Sequence, residues 1–206
     1  MSKIVLTRHG HVEGIHPERF RGRTELVLTE EGLRQARRTA AYIAASWKPA
    51  AIFTSPMQRC QTTAAEIART CGGLSPAVLA DLNDLDYGSW QWLTHEEVQA
   101  QDPARFALWR SSPHLVRFPA GESLQDLVAR SSNVLRDILE RHPNETVVVV
   151  SHDSVNRALL MQLLDQPVSA YWRLSQDPCG VSEIDVENGQ VRARRVNETG
   201  HLIDGT

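Results

Sequence analysis

Leu6-Thr7-Arg8-His9-Gly10 closes an apolar, β-branched run that begins at Ile4. Such a run, short and flanked by polar residues, predicts a buried strand over Lys3–Thr7. A strand that ends by presenting an arginine and a histidine on a glycine is built for more than packing. Val147-Val148-Val149-Val150 repeats the arrangement and ends in Ser151-His152-Asp153. A lone histidine at a strand end is more often a hydrogen-bonded structural residue than a catalyst. Two of them matter if the fold brings His9 and His152 together.

Working outward from these stretches, strands and helices alternate. Residues 8–28 are too rich in Gly, Arg and His for a regular element, and a loop of that length is usually functional. Thr29 predicts an N-cap, with Glu30 and Glu31 in the first turn of a helix over 30–46. Ala51–Thr54 predicts a second strand. Ser55-Pro56 predicts the cap and first residue of a helix reaching Cys71. Val78–Leu82 predicts a third strand, 83–93 an irregular stretch, and 96–110 one or two short helices broken near Asp102-Pro103. A long helix follows over 122–141, then the Val147–Val150 strand and a helix over Asp153–Leu164. Strands over 181–186 and 191–196 flank Asn188-Gly189, a strong hairpin signal. The expected fold class is α/β, a three-layer α/β/α arrangement with a mostly parallel central sheet and a C-terminal hairpin, in a single domain over 1–206. Ligands of such sheets sit at the carboxyl ends of the strands. Two histidines and two arginines, Arg8 and Arg59, are therefore expected at one edge.

The bulk composition limits the partners. The chain has 206 residues, 41% hydrophobic and 23% charged, with a net charge of -3. That balance argues against a nucleic-acid binder working through a general basic field. It leaves room for a small anionic substrate held by a local arginine cluster. Cys60, Cys71 and Cys179 form no CxxC pair and favour a reduced, cytoplasmic setting. No run reaches the roughly 18 apolar residues of a membrane span, so no membrane partner is expected. A homodimer is plausible because homodimers are common.

Arginine offers a planar fork of donors that matches phosphate oxygens and stays charged at working pH. Helix N-termini add backbone N–H groups for an anion. A neutral imidazole among arginines is a competent nucleophile, since nearby positive charge disfavours its protonation. Together these parts suit phosphoryl transfer without a metal or other cofactor. The competing chemistry is a metal-dependent hydrolase, with His9, His11, His152 and Asp153 as ligands. Arg8 opposes a cation there, and the chain is short for the barrel such enzymes use.

Five blocks, in order, resemble the histidine phosphatase superfamily, also called phosphoglycerate mutase-like: Leu6-Thr7-Arg8-His9-Gly10; Gly22-Arg23-Thr24 with Leu28-Thr29, Gly32, Gln35 and Ala36; Ser55-Pro56-Met57-Gln58-Arg59-Cys60-Gln61-Thr62-Thr63-Ala64; Gly121-Glu122-Ser123; and Val150-Ser151-His152. The resemblance covers nearly the whole chain. It implies that His9 becomes phosphorylated, that Arg8 and Arg59 clamp the phosphoryl group, and that His152 stabilises the transferring oxygens. Gly22 and Arg23 of the second block, and Asp153 after the second histidine, are further candidate substrate-binding positions. The family's acid, usually a glutamate, aligns with Asp84 of Asp84-Leu85-Asp86-Tyr87-Gly88-Ser89-Trp90, with Asp86 as the competitor. The implied activity is hydrolysis of a small phosphomonoester through a phosphohistidine. The alternatives are mutase-type phosphoryl transfer and a phosphate-binding module with weakened catalysis.

The chain also departs from that pattern. Val12 and Ile15 stand where Thr and Asn are common. Asp153 replaces the glycine that usually follows the second histidine. Either its side chain caps the next helix, or it meets a cationic or hydroxyl-rich part of the substrate. Trp92 replaces a small residue, which predicts a narrower, more apolar pocket. Tyr87, Trp90 and Trp92 are expected in a core and lid cluster. Arg34, Arg37, Arg38, Arg192, Arg194 and Arg195 are expected to face water, as are His95, His114 and His142.

Overall fold

The computed structural model describes residues 1–203. The expected domain boundary at 206 lies outside them. Six strands form one sheet: β1 (Ser2–Arg8), β2 (Ala51–Thr54), β3 (Ala77–Val78), β4 (Thr146–Ser151), β5 (Val181–Glu187) and β6 (Gln190–Glu198). Their order across the sheet is β3-β2-β4-β1-β5-β6. The first four are mutually parallel, β5 runs antiparallel to β1, and β6 returns antiparallel to β5. The sheet is mixed, with its parallel part where the Leu6–Gly10 reading places it.

Period-two alternation sorts the strand side chains into two cores. Ile4, Leu6, Phe53, Val147 and Val149 face one side, where α5 (Leu124–Arg141) and α6 (Asp153–Leu163) supply Leu127, Val134, Ile138, Val155 and Leu159. Val5, Ile52, Val148 and Val150 face the other. There α1 (Glu30–Ser46) and α2 (Gln58–Thr70) supply Ala40, Ile43, Ala64 and Ile67. All four valines of β4 are buried. Each is worth roughly 1.5–3 kcal/mol of apolar transfer. This explains an unbroken valine run, since a strand covered on both faces has no wet side to mark with polar residues.

Several expected boundaries hold and others move. Thr29 accepts from the Gly32 N–H and caps α1. Asp102-Pro103 separates α3 (His95–Gln101) from α4 (Pro103–Ser111). Asn188 (φ 49°) and Gly189 (φ 75°) turn the β5–β6 hairpin in the left-handed region. Helix α2 begins at Gln58, not at Pro56. Ser55 instead ends the β2 strand by donating its N–H to Val150 O, and its hydroxyl is taken by His152. The third strand is only Ala77–Val78, and Ala80–Leu82 coils into a 3-10 turn that buries Leu82. Arg194 and Arg195 do not simply face water. They pair with Asp185 (2.6 Å) and Glu183 (2.9 Å), two buried carboxylates on β5 that Lys3 also reaches. His95 is half-buried against the Phe20 ring, with centroids 4.8 Å apart. His114 and His142 are half-buried too.

Candidate active site

Adjacent parallel strands place the key residues. Arg8 pairs with Ser151 in the β1–β4 register, so His9 and His152 leave neighbouring strand ends side by side. The His9 N–H donates to Ser151 O at 2.9 Å, and the two imidazoles sit 5.3 Å apart, tilted by 66°. On the other side of β4, β2 delivers Ser55, and Arg59 follows in the first turn of α2.

Backbone contact holds the segment after His9. A Cβ on Gly10 would come within 2.4 Å of Gly32 O, and one on Gly32 within 2.2 Å of His11 O. The start of α1 therefore rests directly on the main chain that carries the nucleophile candidate.

The hydrogen bonds define the state of that histidine. His9 Nδ1 lies 2.7 Å from Gly10 O, an acceptor only, so Nδ1 carries the proton. Nε2 keeps its lone pair and accepts from Arg59 Nε at 3.2 Å. Burial first, then Arg59 and Arg8, hold the His9 pKa well below the ordinary imidazole value. His152 is likewise depressed by burial, Arg59 and Arg8. Its Nδ1 faces Arg59 Nη2 at 3.2 Å, which can only donate, so Nε2–H donates to Ser55 Oγ at 2.7 Å.

Asp84 completes the group. It is buried, with Oδ2 3.0 Å from Arg59 Nη2 and 3.4 Å from His152 Nδ1. Its Oδ1 accepts from Ser154 Oγ at 2.5 Å and the Leu85 N–H at 2.8 Å. Burial pushes its carboxyl above the ordinary range, Arg59 opposes that, and Asp153 adds to the rise. A carboxyl so placed can hold and release a proton beside His9.

The two arginines differ. Arg59 is wholly buried and its donors are engaged by Thr24 O, Gly22 O, Asp84 and the histidines. Arg8 gives one bond, Nη1 to Gln176 O at 2.7 Å, while its buried Nε and Nη2 have no partner among the described residues. Unpaired buried donors of a cation are costly, and an anion would satisfy them.

Of the other sequence-derived candidates, Gly22 lines the neighbouring cavity and supplies its carbonyl to Arg59 at 2.6 Å. Arg23 turns its donors to the protein: it binds Asp84 O, Asp86 and Glu122, bracing the segment that carries Asp84. Asp86 is engaged elsewhere, its Oδ1 accepting from the Gly88 N–H at 2.9 Å and its Oδ2 lying 3.4 Å from Arg23 Nη1. Asp153 does not cap α6, because His152 occupies the cap position. It is the first helical residue, its Oδ2 accepts from Arg157 Nη1 at 3.2 Å, and it lines the cavity. Trp92 is not in the cavity wall. It packs beneath Arg19, 5.2 Å from ring centroid to guanidinium carbon. Tyr87 and Trp90 join Phe20 and Phe118 in an edge-to-face aromatic cluster. Val12 packs with Leu28, Ala36 and Cys179 in a small core, which explains an apolar residue so close to His9. His11 turns to Thr29 Oγ1 at 2.9 Å, away from a shared metal position. Among the described residues no three His, Cys, Asp or Glu side chains gather around a metal position.

Sequence reasoning missed Arg21, Arg157, Tyr171 and Trp172, all in the cavity wall. Arg157 stands four residues after Asp153 on one helix face, a spacing that could have revealed it. Tyr171 and Trp172 come from a 3-10 segment with no such signal.

A family model described as histidine phosphatase superfamily (branch 1) matches residues 4–199. The chain belongs to the histidine phosphatase superfamily. This histidine phosphatase is 33% identical over 202 residues to phosphoserine phosphatase 1 of Hydrogenobacter thermophilus, an alignment covering 98% of this chain and 95% of that one. Among solved structures it resembles Bacillus stearothermophilus YhfR, with a TM-score of 0.90, 29% identity and coverage of 98% and 100% of the two chains. It also resembles the mycobacterial glucosyl-3-phosphoglycerate phosphatase Rv2419c in complex with VO3, with a TM-score of 0.87, 28% identity and coverage of 96% and 99%. The expected fold and family are thus borne out, and the protein is a phosphatase of the histidine phosphatase type. Among the described residues no helix is long and apolar enough to cross a membrane.

Proposed function

We propose that the protein hydrolyses a small phosphomonoester through a phosphohistidine on His9, without a metal. The observation that carries this reading is the His9 imidazole, neutral at working pH, with its Nδ1 proton held by Gly10 O and its Nε2 turned to Arg59. Nε2 attacks phosphorus and forms the N–P bond as the P–O bond to the leaving alcohol breaks. Arg8, Arg59 and His152 surround the transferring oxygens, and Arg8 brings two unengaged donors to them. Asp84 gives its proton to the leaving oxygen, then takes one from the water that cleaves the N–P bond and regenerates His9.

Two of the relatives narrow the substrate. Phosphoserine and glucosyl-3-phosphoglycerate share a phosphate on C3 and a carboxylate on C1 of a three-carbon acid. Arg21 and Arg157 in the cavity wall provide cations for such a carboxylate. The three free cysteines suit a reducing compartment, the cytoplasm. The test is hydrolysis of p-nitrophenyl phosphate in excess EDTA, wild type beside His9→Ala. Turnover that survives the chelator and disappears in the variant supports the reading. Turnover lost to EDTA, or kept by His9→Ala, overturns it.

A further inference from the structure

The two relatives' substrates differ at C2, which bears an ammonium in phosphoserine and an ether oxygen in the glucosyl compound. The cavity that Asp84 and Asp153 line holds a group able to tell these apart. Asp153 opens α6 directly after His152 and lines the same cavity as Asp84, Arg21, Arg157 and Tyr171. Its Oδ2 is held by Arg157 Nη1 at 3.2 Å, while Oδ1 makes no hydrogen bond within the described residues. Arg157 is itself fixed: its Nε donates to Leu174 O at 2.7 Å, and its guanidinium lies 5.1 Å from the Tyr171 ring and 5.4 Å from the Trp172 ring. The carboxylate therefore has a set position and one open oxygen. Tyr171 adds a buried hydroxyl beside the Arg157 guanidinium. Glu18 brings a second carboxylate to the wall, on the outer side, near His95.

A carboxylate beside a phosphate site repels every wholly anionic substrate, because the Coulomb cost between like charges is large where water is excluded. Burial alone would raise the Asp153 pKa, but Arg8, Arg157 and Arg21 outweigh it and keep the group ionised, so it does not escape that cost by taking up a proton. Its presence favours a substrate only if the substrate brings a cation to it. We infer that Asp153 is the specificity residue of this phosphatase: its Oδ1 accepts from an ammonium on the carbon next to the phosphate-bearing one, while Arg157 and Arg21 take the neighbouring carboxylate. The substrate class is then the O-phosphorylated amino acids, preferred over phosphorylated hydroxy acids of the same skeleton. This rests on the phosphatase reading above and adds to it the identity of the group at C2.

The test compares kcat/KM at pH 7 for O-phospho-L-serine and for 3-phosphoglycerate of matching C2 configuration, which exchange only an ammonium for a hydroxyl. p-Nitrophenyl phosphate is run alongside. Wild type should prefer the amino acid by about tenfold or more, and Asp153→Asn should bring the ratio to about twofold or less. If Asp153 serves only to hold Arg157, Asp153→Asn lowers both substrates equally and leaves the ratio standing, which overturns the inference. A wild-type ratio near or below one overturns it as well, and needs no variant to fold. Hydrolysis of p-nitrophenyl phosphate without that preference removes only the role of Asp153. Failure on all three compounds removes the phosphatase reading beneath it.

Discussion

Two clusters of charge sit on this sheet and treat their arginines in opposite ways. Along β5 and β6, Lys3, Arg194 and Arg195 close on Glu183 and Asp185, and Trp47 and Tyr42 add bonds at the rim. There every buried acid has at least two donors. At the carboxyl ends of β1 and β4, Arg8 keeps two buried donors unpartnered, a carboxyl is pushed toward its neutral form, and two histidines are held neutral. Both clusters are rich in arginine, so composition does not separate them. The difference is satisfaction. A network that stabilises completes its own bonds, whereas a network that binds an anion leaves donors for it, and folding elsewhere must offset that cost.

The comparison can be broken at several points. The largest effect is expected from His9→Ala, which should lower turnover on the order of 10⁶-fold, the scale of losing a nucleophile. Quenching labelled substrate in alkaline detergent should then trap no phosphate on the variant, whereas wild type keeps a label that acid releases. Arg59→Ala comes next. It removes a phosphoryl contact and leaves buried Asp84 without its cation, so both kcat/KM and chemical-denaturation stability should fall, the latter by about 3–5 kcal/mol. Arg8→Met should lower kcat/KM by a comparable energy, about 2–5 kcal/mol, with little loss of folding stability, because Arg8 is the less satisfied of the two. Equal destabilisation by both variants would erase the contrast drawn here.

Asp84→Asn should cost about 10²–10³ in kcat on alkyl phosphates and much less on p-nitrophenyl phosphate, whose leaving group needs no proton. The acid works when protonated. Its raised pKa therefore predicts a kcat/KM that falls as pH climbs through that pKa, a limb absent in Asp84→Asn. His9 must be neutral, and its depressed pKa predicts no loss from its protonation between pH 7 and 6. The smallest effect belongs to the other cluster. Glu183→Gln should cost about 1 kcal/mol, less at high salt, with phosphatase turnover intact. Its folded pKa is lowered, so the stability it adds is present above the ordinary glutamate value and fades as pH falls through the folded one. Thermal melts of both proteins across that range should converge in acid.

Much of the candidate site is legible in the sequence because strand ends announce themselves. Apolar runs closing in Arg8-His9 and Ser151-His152 are local patterns, and parallel pairing alone brings them together. Asp84 as the candidate acid is legible only through resemblance; its bonds to Ser154 and Arg59 give it different surroundings from Asp86. The far wall was not legible. Arg21, Tyr171 and Trp172 converge from loops distant in sequence, and neither periodicity nor spacing reports such an encounter. Arg23, a basic residue in a matching block, reads from sequence as a phosphate contact, and the structure pairs it with Asp86 and Glu122. Ser55 lies ahead of the helix, which starts at Gln58, and its hydroxyl accepts from the Met57 N–H at 3.3 Å and from His152 at 2.7 Å.

Gly10 and Gly32 touch main chain to main chain, with no room for a single methyl at either position. Enlarging one cannot be offset by shrinking the other, since each is already the smallest residue available. The ordinary route by which cores drift, a loss here repaired by a gain across the contact, is closed at this point. A library randomised at both positions should therefore return the original pair wherever phosphatase activity is selected. Adjustments of the nucleophile's reach in this chain would have to come through the cavity wall that faces it.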